Sequence, residues 1–408
     1  MREKICLCLT LLFLVSSLRA GQGPLPVKHT WHHRTSRRLH PLLFQSGELV
    51  ISAVGDEDLL ALQIENGQPK WRYEARSKVL WPTITAAGYR QRLAHYQGLL
   101  SFCCADGSIR VIELDQGDVR WQRRLPTQAK WSPTVTPLAF CVACDSNRVY
   151  GYDHERDDEL WSFQCRRKIV DPPQAAGYGL LIATKGKELI HLHSRTGEEL
   201  WRKRFPALTT PPPLVTTDCI YVTTNKGDLL ALSDKDGQVL WQQYLGLFAH
   251  RPLPWNDKVI VTLKNGLILS IDGPSGNIVW QHQSGYALPQ SPSPFDSVIH
   301  SPIISSRLLV YSTYFGDAMH GLAITSGRLL WRYRGGPDWT KPAALNNIAL
   351  LFGNRDSYLH GMNGYVGAVL WKSKLDAPLA TVPLILGKRI IVGTTEGTIY
   401  AVDDPYFK

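Results

Sequence analysis

After residue 20 the chain has no apolar stretch long enough to cross a bilayer as a helix, and no segment with the 3.6-residue periodicity of a long amphipathic helix. Those gaps argue against a bundle of membrane-spanning helices and against a helical repeat. No histidine follows the second cysteine of Cys141-Val-Ala-Cys144, where Asp145 stands, so haem attachment is excluded. His191 and His193 alternate along an expected strand, yet no carboxylate or cysteine accompanies them at metal-ligand spacing. His320 and His360, in equivalent places of two later segments, read as packing choices. No metal is expected. Nucleic-acid recognition motifs are also missing, and the charge is only moderately basic: 45 Lys and Arg against 35 Asp and Glu.

Residues 1–20 have the layout of a secretory signal. Arg2 and Lys4 precede an apolar run from Ile5 to Leu18, and Ala20 supplies a small residue for cleavage. No cysteine there sits in a lipid-attachment context. The expected division is a signal peptide at 1–20 and one domain at 21–408, exported and carrying a net charge of +8, from 42 basic and 34 acidic residues.

What the sequence does have is a repeat. Residues 227–244 read as strand, tight turn, strand: an apolar Leu229–Leu232, turn chemistry from Asp234 to Gly237, then a β-prone run ending at Trp241. Trp71, Trp121, Trp161, Trp201, Trp241, Trp280, Trp331 and Trp371 follow one another at intervals of 50, 40, 40, 40, 39, 51 and 40 residues. Gly67, Gly117, Gly197, Gly237, Gly276, Gly327 and Gly367 each stand four residues before their tryptophan; in the third copy Asp157 takes that place, a residue that tolerates a left-handed turn. Each copy has a further strand pair upstream, so a unit holds four short strands. A period near 40 with this content is that of a propeller blade.

The chain ends specify how the array closes. Arg389–Asp403 is a hairpin with no tryptophan strand after it, and Lys28-His-Thr-Trp31 is a tryptophan strand with no hairpin before it, 40 residues ahead of Trp71. The N-terminal strand is therefore expected to complete the C-terminal blade, which removes the unpaired edges of an open array. The fold class is all-β, a closed propeller of four-stranded blades. Hairpins count to nine; eight is the alternative favoured by propeller base rates. Each repeat tryptophan removes roughly 150–250 Å² from water, on the order of 4–6 kcal/mol before entropy, and so belongs to the architecture.

Candidates for binding lie outside that set. Trp81 and Trp131 share a Trp-(Pro/Ser-Pro)-Thr context at the entry to an inner strand. Two intervals are longer by about ten residues, 85–98 and 283–301, and the second carries Tyr286 and Phe295 in a Ser/Pro-rich stretch. Basic residues cluster just after the tryptophans, Arg166 and Arg167 among them. Charges there keep sheet edges apart, and they also form a basic rim for an acidic partner or anionic lipid. Cys103, Cys104, Cys141 and Cys144 fall on strands and read as buried packing residues; residues three apart, like 141 and 144, point to opposite faces.

Ala61-Leu-Gln with Gly67 and Trp71, Ala231-Leu-Ser with Gly237 and Trp241, and Ala401-Val-Asp403 resemble the Ala-x-Asp-x-x-x-Gly-x-x-x-Trp repeat of pyrroloquinoline-quinone-type β-propellers, over nearly the whole mature chain. A signal sequence followed by bare blades is similar to the BamB family of outer-membrane protein assembly factors within that group. That resemblance implies a non-catalytic, periplasmic scaffold at the inner face of the outer membrane, monomeric in itself. Its implied partners are proteins of the β-barrel assembly machinery, with no cofactor and no nucleic acid. Quinoprotein dehydrogenases share the repeat and carry adjacent cysteines over the quinone. The alternative they imply is an enzyme with a calcium-bound quinone, which needs acidic and amide residues on inserts between blades; here Cys103-Cys104 falls inside a hairpin strand and the inserts are short, and an exported binding propeller with another partner is the other alternative.

Overall fold

The computed structural model describes residues 24–81, 94–209, 212–284, 302–305, 307–312, 318–334, 343–345, 349–353 and 356–406. Among these there is no helix. The strands form nine antiparallel four-stranded meanders, one blade each, in chain order around a ring. Blade one is built from Leu39–Ser46, Leu49–Val54, Asp58–Gln63 and Pro69–Glu74, and blade five from Leu214–Val215, Cys219–Thr223, Asp228–Ser233 and Val239–Tyr244. The first strand of every blade lies toward the axis and the tryptophan strand lies at the rim.

Ring closure follows from pairing. His29–Arg34 runs antiparallel to Thr398–Asp403, with Trp31 opposite Ala401, so the N-terminal strand is the rim strand of blade nine. The Thr30 hydroxyl adds a bond to the Ala401 carbonyl at 3.1 Å. Just before it, Leu25–Pro26 lies parallel to Trp371 and Lys372 on the rim of blade eight, a fifth strand that the sequence pattern does not announce.

The core divides into nine apolar clusters, one at each interface between neighbouring blades, including one that joins blade nine to blade one through Trp31, Ile399, Leu60 and Leu62. This explains the unbroken apolar runs of the third strands. In blade five Leu230 and Leu232 face blade four, while Leu229 and Ala231 face blade six, so no residue of that run meets water.

The tryptophans and glycines act between blades. Gly237 precedes Trp241 in sequence, but a Cβ on it would meet the ring of Trp201, one blade back, at 2.7 Å. Its φ of +68° also needs glycine. The Trp201 indole N–H then donates to the Asp234 carbonyl at 2.8 Å, in the same turn. The unit repeats as Trp71 with Gly117 and the Leu114 carbonyl, and closes the ring as Trp31 with Gly67 and the Ile64 carbonyl. Each tryptophan is thus a latch onto the next blade. The turn with Asp157 differs: this residue is not left-handed, and the Asp153 carboxylate organises the turn by accepting from the backbone N–H groups of Glu155 and Arg156. Asp157 itself accepts from the Arg123 Nε at 2.7 Å.

Candidate functional site

Because every blade is an antiparallel meander, its turns sort onto two faces of the disc. One face holds the turns between second and third strands and the crossovers to the next blade; the other holds the remaining turns. The two faces differ in charge. Within the described turns the crossover face carries thirteen Lys or Arg against eight Asp or Glu. The opposite face carries five against thirteen. Among the described turns, charge is therefore segregated, basic on one face and acidic on the other.

The basic charge concentrates at blades three and four, where Lys130, Arg166, Arg167, Lys168, Lys185 and Lys187 come together. Arg166 and Arg167 are exposed on the crossover leaving blade three, and the Arg167 side chain lies over Gly186, whose lack of a Cβ leaves it room. Trp131 is half-buried on the preceding crossover with the Lys130 ammonium 4.2 Å from its ring centroid, a cation–π contact. Lys130 Nζ also donates to the Ile169 carbonyl at 2.8 Å. Burial, helped by Lys168 and Lys185, lowers the Lys130 pKa, although Asp145 and Asp171 oppose the shift. Asp171 answers from the crossover that carries Arg166 and Arg167: burial pushes its carboxyl up to about 6, with Lys130 opposing the rise. Trp131, Arg166 and Arg167 thus share one surface.

Trp81 does not join them. It is 5 % exposed and packs between blades one and two, its ring 6.0 Å from that of Phe102 and 5.9 Å from that of His40. Tyr286 and Phe295 lie outside the described residues. Between blades one and two an open depression of about 730 Å³ is lined by Glu48, Glu65, Lys70, Trp71 and Asp115, of mixed sign.

The chemistry-bearing residues singled out in sequence have structural settings. Cys103 belongs to the cluster between blades two and three, and Cys104 to the one between blades one and two, because successive strand residues face opposite ways. Both are free thiols. Cys141 and Cys144 are likewise split between two interfaces and free. Burial raises the Cys104 and Cys144 thiols to about 11. His191 stands in register with Trp201, where most blades have Ala or Gly, with its ring edge-on to the indole at 5.1 Å and Nδ1 4.0 Å from Asp234 Oδ1. His320 and His360 stack on Tyr311 and Phe352 at 4.8 and 4.9 Å, and burial, with His282 nearby, takes His320 down to about 4. Among the described residues no group of three or more His, Cys, Asp or Glu is placed to hold a metal ion.

A family model described as outer membrane protein assembly factor BamB matches residues 27–138, 145–315 and 316–405. The chain belongs to the BamB family. BamB from Moraxella catarrhalis superimposes with a TM-score of 0.55 at 14% identity, over 92% of this chain and 99% of that one. Two further solved structures are as similar in shape: the computationally designed Ika8, at TM-score 0.56 and 12% identity over 93% of this chain and 100% of its own, and Sqt1 from Saccharomyces cerevisiae, at 0.56 and 12% over 93% and 99%. These likenesses show the fold. No curated protein matches the chain in sequence. The BamB family match includes residues of every blade, including the one closed by Trp31, and leaves out 139–144, which hold the second strand of blade three, Phe140–Ala143.

Proposed function

We propose that this chain is an exported, non-catalytic scaffold that holds protein partners during assembly of outer-membrane β-barrels, working in the periplasm at the inner face of the outer membrane. The observation that carries this reading is the BamB family match at residues 27–138, 145–315 and 316–405. The signal-like residues 1–20 support export, with 21–408 as the mature domain. The segregation of charge among the described turns supports oriented docking, and Trp131, Arg166 and Arg167 are the contact residues proposed for an acidic partner on the basic face. The ring needs no second copy to bury its core, which fits a monomer.

The test is isolation of the tagged full-length chain from cell envelopes after brief crosslinking. Enrichment of outer-membrane assembly proteins is expected, reduced when Arg166 and Arg167 are changed to Glu. Recovery of the chain from the cytoplasmic fraction with residues 1–20 intact refutes the export half of the proposal. Dye-linked alcohol oxidation after adding pyrroloquinoline quinone and calcium would move the chain to the quinoprotein enzymes; none is expected.

A further inference from the structure

The rim strands are the exposed edges of this molecule, and seven of the nine carry charge. Blade two ends in Val119–Arg124, with three arginines, and blade four in Glu199–Arg204, with four charged residues among six. Charged edge residues disfavour pairing with another strand, since pairing would strip them of water. Blades five and six lack this protection. Their rim strands, Val239–Tyr244 (VLWQQY) and Ile278–Gln283 (IVWQHQ), hold no Asp, Glu, Lys or Arg.

The same two neighbouring blades expose apolar surface. Of the thirteen large hydrophobic residues exposed among the described ones, Val239, Leu240, Tyr244, Leu247, Ile278 and Val279 lie on these rims or on the crossover between them. Tyr244 is 72% exposed and Leu240 54%. Gln242 and Gln243 are tied back into the ring, to Asp228 Oδ1 at 3.1 Å and to the Gly276 carbonyl at 2.8 Å. Beyond their own third strands, neither rim pairs with another described strand. Blade eight shows that the outer edge of a rim strand can take an added strand: two residues, Leu25–Pro26, lie along it even beside Lys372 and Lys374, and Val27 N–H donates to the Lys372 carbonyl at 2.8 Å.

We infer that the rims of blades five and six bind an extended, uncharged segment of a partner polypeptide, with alternating apolar side chains, by strand addition. This rests on the scaffold reading above and assigns it a surface. Backbone groups supply the affinity, and Leu240, Tyr244 and Val279 supply apolar contacts. A charged segment would face no counter-charge on either strand. A second copy is a poorer occupant, because the mature chains carry +8 each and repel one another.

The probe is a ten-residue peptide of alternating Val or Tyr and Thr or Gln, labelled for fluorescence anisotropy, with a version N-methylated at alternate residues. The parent peptide is expected to bind the full chain. Leu240→Lys with Val279→Lys restores the protection seen on other rims and should weaken binding at least tenfold, as should N-methylation. Val119→Lys on the rim of blade two should leave it unchanged. All three sites are exposed, so unchanged circular dichroism is expected. The inference is overturned if the peptide does not bind, if the double variant or the methylated peptide binds like its parent, or if sedimentation shows a dimer that the double variant dissociates. Envelope partners still captured by the double variant would leave the scaffold reading standing while this inference falls.

Discussion

Substituting Gly237 by alanine isolates the latch between blades. The residue sits at φ +68°, a conformation that costs an L-residue roughly 1–2 kcal/mol. The new methyl group would also lie 2.7 Å from Trp201 Cε3. The indole cannot yield freely, since it is 8% exposed and its N–H is bonded to the Asp234 carbonyl. Overpacking of this kind costs about 1–3 kcal/mol, which brings the total to about 2–5 kcal/mol. Gly47 supplies the control. It too is left-handed, at +54°, but nothing lies within 4 Å of its would-be Cβ, so Gly47→Ala should cost only the conformational part, about 1–2 kcal/mol. Urea titrations followed by circular dichroism and tryptophan fluorescence give both values. If Gly237→Ala is no more destabilising than Gly47→Ala, the docking of each tryptophan on the next blade is not what the glycine serves.

Three further outcomes follow from the described geometry. Asp171, raised to about 6, is neutral in the fold more readily than in the unfolded chain, so its contribution is greatest below about pH 4 and is lost as pH rises through 6. At 1.36 kcal/mol per pH unit that contribution is about 3 kcal/mol, and Asp171→Asn should flatten the pH dependence of the thermal midpoint between pH 4 and 7; an unchanged slope counts against it. Of the six cysteines after residue 20, Cys219 alone is more than slightly exposed, so a disulfide exchange reagent at pH 8 should modify at most one thiol in the native protein and all six in denaturant. Rapid native modification of Cys103 or Cys104 would contradict their burial. Removing residues 24–34 deletes the rim strand of blade nine and should broaden and lower the unfolding transition, whereas an unaltered transition would mean that closure contributes little.

Much of the architecture is legible because a propeller writes the same message nine times. The tryptophan period and the unmatched hairpin at 389–403 lead to a count of nine, with eight as the alternative, and to an N-terminal strand that completes the last blade; the register, Trp31 opposite Ala401, comes from the structure. Sequence proximity misleads at the glycines, however: Gly237 lies four residues from Trp241 yet packs against Trp201, and only the stacking of blades reveals that. Trp81 reads as a surface candidate since its Trp-Pro-Thr context is outside the period, whereas the ring is core. Leu25–Pro26 is too short, and too unlike a strand with its proline, to betray its pairing. The segregation of charge emerges once turns are assigned to faces, because acidic and basic turns alternate along the chain and their charges cancel in any local window.

The seam at Trp31 has a consequence for the time course of folding. The Thr30–Ala401 bond spans 371 positions, so the piece translated earliest is the piece seated last. At synthesis rates of roughly 5–20 residues per second, it waits on the order of 20–75 s for its mate to exist. For that interval His29–Arg34 is a loose end, and once made Thr398–Asp403 has no outer neighbour until the two pair, which leaves the newborn protein open to capture by passing strands until the circle is sealed.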